Sequence, residues 1–181
     1  MKESCPTLNK QKGLTLIDLM ISVSIFLIIV TIAIPAFNSL LKRNLQREST
    51  QSLIHLINFT RLQAVETGVE AVMCPSADTI ECESDWNLPI MVFNDSDGDR
   101  ARSESEPLLK HLTIVNGRET LSWSSFRDRD YLHFNEEGTT DYQNGTFYYC
   151  NGDDTEYKAQ VIVSKAGRAR VVSNRHLRDR C

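Results

Sequence analysis

From Leu19 to Phe37 the chain carries no charged side chain, and apolar residues fill almost every position. About 19 residues at ~1.5 Å per residue make roughly 28 Å of helix, which matches a bilayer core of roughly 30 Å. A secretory signal would have a shorter apolar run ending at a small-residue cleavage site. Here the run continues into NSLLKRNLQREST, which extends the helix. A polar leader with Lys2, Lys10 and Lys12 precedes it, as expected for a cytoplasmic flank. Beyond the apolar run the period becomes that of an amphipathic helix. Leu53, Leu56, Ile57, Ala64 and Val65 recur at helical spacing, while Arg47, Glu48, Gln51, Arg61 and Glu66 fall mainly elsewhere. The pattern predicts one helix over residues 14–67, membrane-spanning over about 14–37, with its second half laid on a sheet. Pro35 should kink or locally melt the membrane part, and Gly68 should end the helix.

After Gly68 the apolar runs become short and are divided by turn pairs such as Asn116-Gly117, Glu137-Gly138, Asn144-Gly145 and Ala166-Gly167. Eight strands are expected, at 70–74, 89–94, 108–115, 120–124, 131–135, 146–150, 159–164 and 168–173. A long helix followed by about eight short strands implies an α+β fold with antiparallel sheets. The implied organisation is a leader over 1–13, the helix over 14–67 and a β-rich extracytoplasmic domain over 68–181.

The formal charge of −4 hides an asymmetry. Without residues 1–13 the chain has 17 basic and 23 acidic side chains, or −6; residues 165–181 carry +5, so the body between carries −11. An acidic body with a basic tail suggests an anionic partner for the tail. Cys5 lies in the leader. Cys74, Cys82, Cys150 and Cys181 form an even set in a domain expected to face an oxidising compartment. Of the three possible connectivities, Cys74–Cys82 closes a short loop and Cys150–Cys181 ties down the tail; this pair of bridges is favoured. A metal site would need a CxxC pair or histidines at ligand spacing, and neither is present. No metal and no cofactor is expected.

Lys12-Gly13-Leu14-Thr15-Leu16-Ile17-Asp18-Leu19 resembles the cleavage and methylation motif of type IV pilins and pseudopilins. The resemblance implies that a prepilin peptidase cuts after Gly13, that Leu14 is then N-methylated, and that Asp18 stands at the acidic fifth mature position. Pro35 falls near the family's usual proline. The family more often has Phe at the first mature position and Glu at the fifth, so Leu14 and Asp18 are conservative departures. Physics supplies a role for Asp18. The new amine of Leu14 and the Asp18 carboxylate are each expensive in an apolar interior and much less so as a pair, within one subunit or between two. Such a pair would set subunit register.

Two later motifs carry candidate chemistry. Asp95-Ser96-Asp97-Gly98-Asp99 has the carboxylates a hard cation would want, with Glu106 twelfth from Asp95. Gly98 falls too early for an EF-hand loop, so a turn is the favoured reading. A strand ending in Phe before Asp-x-Asp-Gly also resembles H-type pseudopilins and related minor pilins. Second, Gly167 allows a tight turn, after which Arg168 and Arg170 lie on one strand face. Guanidinium pairs suit phosphate, and Lys165, Arg175 and Arg178 could extend the patch. Arginines paired with the acidic body are the simpler reading. Gly-Arg-x-Arg also resembles the C-terminal signature of the GspH/FimT group of minor pilins, in some of which it binds DNA during natural transformation. The resemblance covers the N-terminal third closely and the C-terminal domain loosely.

The four histidines are scattered, and no nucleophile elbow is present, so an enzyme is not expected. The expected protein is a minor pilin that is inserted in the inner membrane with its domain in the periplasm. It would then join a pilus or pseudopilus at the cell surface and help initiate or cap a type IV pilus. The expected partners are other major and minor pilins and the prepilin peptidase. Capture of double-stranded DNA and an H-type pseudopilin of type II secretion are the alternatives.

Overall fold

A computed structural model describes residues 15–127, 129–152 and 154–172. The chain forms two compact units, Met1–Leu41 and Lys42–Cys181. One helix, α1, runs from Leu16 to Thr67. In the first unit its apolar side chains are almost all exposed, Phe26 by 63% and Ile32 by 67%. It is one helix long and apolar enough to cross a membrane. Pro35 lies inside it without a break, so the local melting expected from the sequence does not occur. Proline removes one main-chain donor, and the bonds on either side carry the helix through.

In the second unit α1 buries Ser49, Thr50, Leu53, Leu56, Ile57, Thr60 and Ala64. Fully burying each Leu or Ile is worth about 1.5–3 kcal/mol, so this stripe anchors the helix. Val65, expected in the stripe, is instead 50% exposed, and Thr60 takes the inward position with its hydroxyl bonded to the Leu56 carbonyl. The helix stops at Gly68, whose φ of +64° suits glycine and whose N–H donates to the Ala64 carbonyl.

Eight strands follow: β1 Glu70–Pro75, β2 Ile90–Asp95, β3 Leu108–Leu112, β4 Glu119–Ser125, β5 Leu132–Phe134, β6 Gly145–Asn151, β7 Asp154–Val163 and β8 Ala169–Val172. They make two four-stranded sheets, ordered β3-β2-β1-β5 and β4-β6-β7-β8, and every pairing is antiparallel. A single core joins the helix stripe to the inner faces of both sheets, with Ala71, Met73, Ile90 and Val92 from the first and Leu121, Phe147, Tyr149 and Val161 from the second. Trp86 closes it, edge-on to Phe147 at 4.8 Å. The first sheet is also buried on its outer face. Val72, Cys74, Met91 and Phe93 form a second cluster there, covered by Cys82 and Tyr131. This explains why β1 and β2 read as nearly continuous apolar runs.

The Cys74–Cys82 bridge is present, with an S–S distance of 2.00 Å. Cys150 is also disulfide-bonded, and Cys181, the partner expected for it, lies outside the described residues. Inside the core the Tyr149 hydroxyl donates to Glu119 Oε1, and burial pushes the phenol's pKa upward. Tyr149→Phe should leave a buried carboxylate oxygen without that donor and cost about 1–3 kcal/mol, read by urea unfolding.

Candidate functional site

The sequence singles out three places: the start of α1, the Asp95–Asp99 turn and the β7–β8 hairpin. At the helix start, Gly13 and Leu14 lie outside the described residues. Thr15 and Asp18 cap the helix reciprocally. The Asp18 Oδ2 accepts from the Thr15 N–H at 3.1 Å and hydroxyl at 2.8 Å, while the Asp18 N–H donates to the Thr15 hydroxyl at 3.2 Å. The Thr-x-x-Asp spacing of residues 15 and 18 is the local sequence signal for such a cap. Asp18 is exposed, and among the described residues its Oδ1 has no partner.

The Asp95, Asp97 and Asp99 carboxylates lie within 4.8 Å of one another. Their contacts are those of a turn. Asp95 accepts main-chain N–H bonds from Gly98 at 2.8 Å and Arg100 at 2.9 Å. Buried Glu106 accepts from Ser96 and Ser103 and closes the loop.

The β7–β8 hairpin places Arg170 opposite Ile162, so the Arg170 side chain leaves the outer face of the second sheet. Arg168 precedes β8 and is held by main-chain bonding to Ser164: the Ser164 N–H donates to the Arg168 carbonyl at 2.9 Å. Both arginines are exposed and border a hollow of about 450 Å3 with Ile162, Ser164 and Ala169. Among the described residues neither has an ion-pair partner, so the pairing with the acidic body expected as the simpler reading is not seen there. Lys165 sits over the Tyr142 ring at 3.2 Å. Arg175 and Arg178 lie outside the described residues.

The hairpin's shape comes from packing beneath it. Gly167 is buried at φ +74°, and a Cβ there would stand 2.1 Å from the Gly138 carbonyl oxygen. That oxygen accepts from Arg61 Nε of α1 at 2.9 Å. The helix, the turn after β5 and the basic hairpin therefore meet at one point.

A polar cluster that sequence reasoning missed lies around β1 and β5. Glu70 Oε1 stands 3.4 Å from Arg100 Nε and 3.6 Å from His133 Nε2. His133 Nδ1 is 2.6 Å from Gln143 Oε1, which also accepts the His133 N–H, while Gln143 Nε2 donates to the Tyr131 carbonyl. These contacts fix the amide and leave the ring proton on Nδ1. Burial pushes His133 below its usual 6.5 and Glu70 above its usual 4.5. Nothing in the spacing of residues 70, 100, 133 and 143 could have brought them together.

The histidine shift has a sign. With its native value below 6.5, stability from neutral His133 is complete above pH 6.5 and is lost as pH falls from there toward the native value. Glu70 works in the opposite sense, since its native form binds a proton more readily. The measurement is therefore a difference: between about pH 7.5 and 5 the parent should lose more Tm than His133→Gln. Equal losses would mean that His133 titrates alike in both states.

Comparison with known proteins matches this architecture. Residues 49–167 fit the family model for type II transport protein GspH, and residues 8–34 fit the prokaryotic N-terminal methylation motif. The fold is similar to the type IV minor pilin FimU of Pseudomonas aeruginosa, at TM-score 0.55 and 19% identity over 72% of this chain and 90% of that one. It is also similar to the minor pseudopilin EpsH from the type II secretion system of Vibrio cholerae, at TM-score 0.50 and 12% identity over 69% of this chain and 94% of that one. No curated relative matches the chain in sequence.

Proposed function

The chain belongs to the GspH family, with the N-terminal methylation motif of type IV pilin-like proteins, and from that premise we propose that it is a minor pilin of a type IV pilus. In this reading the chain enters the inner membrane with residues 42–181 in the periplasm. It is cut after Gly13, methylated on Leu14, and drawn into a filament to initiate or cap it. The role is assembly with other pilins rather than catalysis. The observation that carries it is the exposed apolar surface of α1 from Leu16 to Phe37: a face this large needs lipid first and other helices afterwards. The decisive test deletes the gene and scores surface pili and type II secretion in the same strain. Loss of pili with secretion intact supports the proposal. Loss of secretion with pili intact makes the chain an H-type pseudopilin instead.

The exposed guanidinium groups of Arg168 and Arg170, which have no ion-pair partner among the described residues, favour a second reading, capture of double-stranded DNA, with Lys165, Arg175 and Arg178 extending the patch. Phosphate contacts would make such binding salt-sensitive and independent of sequence. A gel-shift titration at two salt concentrations tests it on the full chain in non-ionic detergent, beside Arg168→Ala/Arg170→Ala. The expected result is a shift that weakens with salt and falls roughly tenfold or more in the double variant. No shift at low salt, or equal shifts for both proteins, removes this reading and leaves the hairpin as a subunit contact.

A further inference from the structure

We propose that Glu70 and His133 form one proton-binding site, and that the proton they share releases Arg100, so that the turn after β2 is held by an acid-sensitive latch. Glu70 Oε1 stands 3.4 Å from Arg100 Nε and 3.6 Å from His133 Nε2. All three atoms are buried, and none has a hydrogen-bond partner among the described residues. Gln143 keeps the ring proton on Nδ1, so Nε2 offers a lone pair beside the carboxylate oxygen. Two acceptors that meet in this way have no hydrogen between them. The only hydrogen on any of the three atoms belongs to Arg100 Nε.

One added proton changes this balance. Between Oε1 and Nε2 it turns two acceptors into a donor and an acceptor, and closing the 3.6 Å gap then makes a strong hydrogen bond. Arg100 loses its partner whichever atom carries the proton. A protonated Glu70 no longer has the charge that held the guanidinium, and a protonated His133 claims that charge and repels the guanidinium. Groups this close titrate as a pair. Burial raises Glu70 above its usual 4.5 and lowers His133 below its usual 6.5, so uptake by the pair is expected between those values. The other charged and titratable groups around the pair are Asp95 on β2, Asp141 in the turn before β6, and Arg127, Arg129 and Tyr131, which border the small cleft that His133 lines. The two aspartates favour the added proton, and Arg100, which opposes it, is the group that leaves.

Which partner moves follows from how each is held. The His133 side chain is 6% exposed and is fixed at Nδ1 by Gln143. The Arg100 side chain is 36% exposed, and its other contacts are the Gly98 carbonyl at 3.3 Å and the Tyr131 ring at 5.9 Å. Arg100 is therefore the group that swings into water, where an unpaired guanidinium is well solvated. Its main chain belongs to the turn: the Arg100 N–H donates to Asp95 Oδ2 from a left-handed φ of +65°. A non-glycine residue keeps that conformation where its surroundings over-determine it. Losing Glu70 removes one of those determinants and loosens residues 95–100. The latch is closed at neutral pH and opens in mild acid, a local protonation that biases a two-state element.

The test is an NMR titration of the full chain in non-ionic detergent, with nitrogen-labelled arginine and histidine, from about pH 7.5 to about pH 4.5. The Arg100 signal is identified by its loss in Arg100→Lys. At neutral pH the Arg100 Nε–H should exchange with water more slowly than in exposed arginines, and His133 should carry its proton on Nδ1 alone. Between pH 6.5 and 4.5 that protection should fall by roughly tenfold or more, at the midpoint where the His133 ring signals shift, with the domain still folded by circular dichroism. Glu70→Gln should leave Arg100 unprotected at every pH. In His133→Gln the carboxylate titrates alone, and protection should last to about one pH unit lower. Four results would each overturn the proposal: protection that lasts until the domain unfolds, separate midpoints for Arg100 and His133, protection retained in Glu70→Gln, or an unmoved midpoint in His133→Gln.

Discussion

Asp18→Asn is expected to reduce incorporation into filaments by roughly tenfold or more while leaving the amount in the membrane unchanged. The asparagine keeps an oxygen that can accept from Thr15, so the cap on α1 survives and only the charge is lost. What would then change, under the proposed cleavage after Gly13, is the environment of the new Leu14 amine. In an apolar filament core an unpaired ammonium costs several kcal/mol, and each factor of ten in incorporation needs only about 1.4 kcal/mol. Asp18 Oδ1 has no partner among the described residues, which leaves it available for that amine. Asp18→Glu, the residue more usual in the family, should incorporate normally. Asp18→Ala removes both charge and cap and should be no better than Asp18→Asn. Immunoblots of sheared filaments against membranes read all three. Parental incorporation of Asp18→Asn would show that Asp18 works through its cap alone, and the register model would fall.

The elements that sequence made legible are those whose signal is local. The apolar run, Gly68 and the turn glycines each act within a few residues, so α1 ends at Thr67 and all eight strands appear close to their expected places. Boundaries shift where pairing rather than propensity sets them. β7 begins at Asp154, five residues early, because the irregular hairpin with β6 pairs Asn151 with Asp154. The Asp18 cap was legible in principle. The Glu70–Arg100–His133–Gln143 cluster was not, since its members come from β1, the loop after β2, β5 and the turn before β6, and only the folded sheet joins them. The same limit applied to Arg168 and Arg170. Sequence places them on one face, but whether acidic side chains reach them depends on neighbours that the chain brings there from a distance.

The largest stability effect should come from the glycine of the Gly-Arg-x-Arg motif. Gly167→Ala is expected to cost about 3–5 kcal/mol, a large share of a total that is typically about 5–15 kcal/mol. Two penalties combine. At φ +74° an L side chain is strained by about 1–2 kcal/mol. The added Cβ would also fall 2.1 Å from the Gly138 carbonyl oxygen, 2.9 Å from Arg61 Nε and 3.1 Å from the Phe134 ring. A flexible arginine could move aside, but the carbonyl is main chain and is already held by Arg61. Arg61→Ala should therefore not rescue Gly167→Ala. Arg168→Ala and Arg170→Ala are exposed and should stay within about 0.5 kcal/mol of the parent. Urea unfolding of the four variants separates the motif into a glycine that builds the hairpin and arginines free to serve a partner. If Gly167→Ala unfolds like the parent, the close approach at Gly138 is not a constraint on the fold. The glycine would then have to be explained, like the arginines, by what the hairpin touches outside the chain.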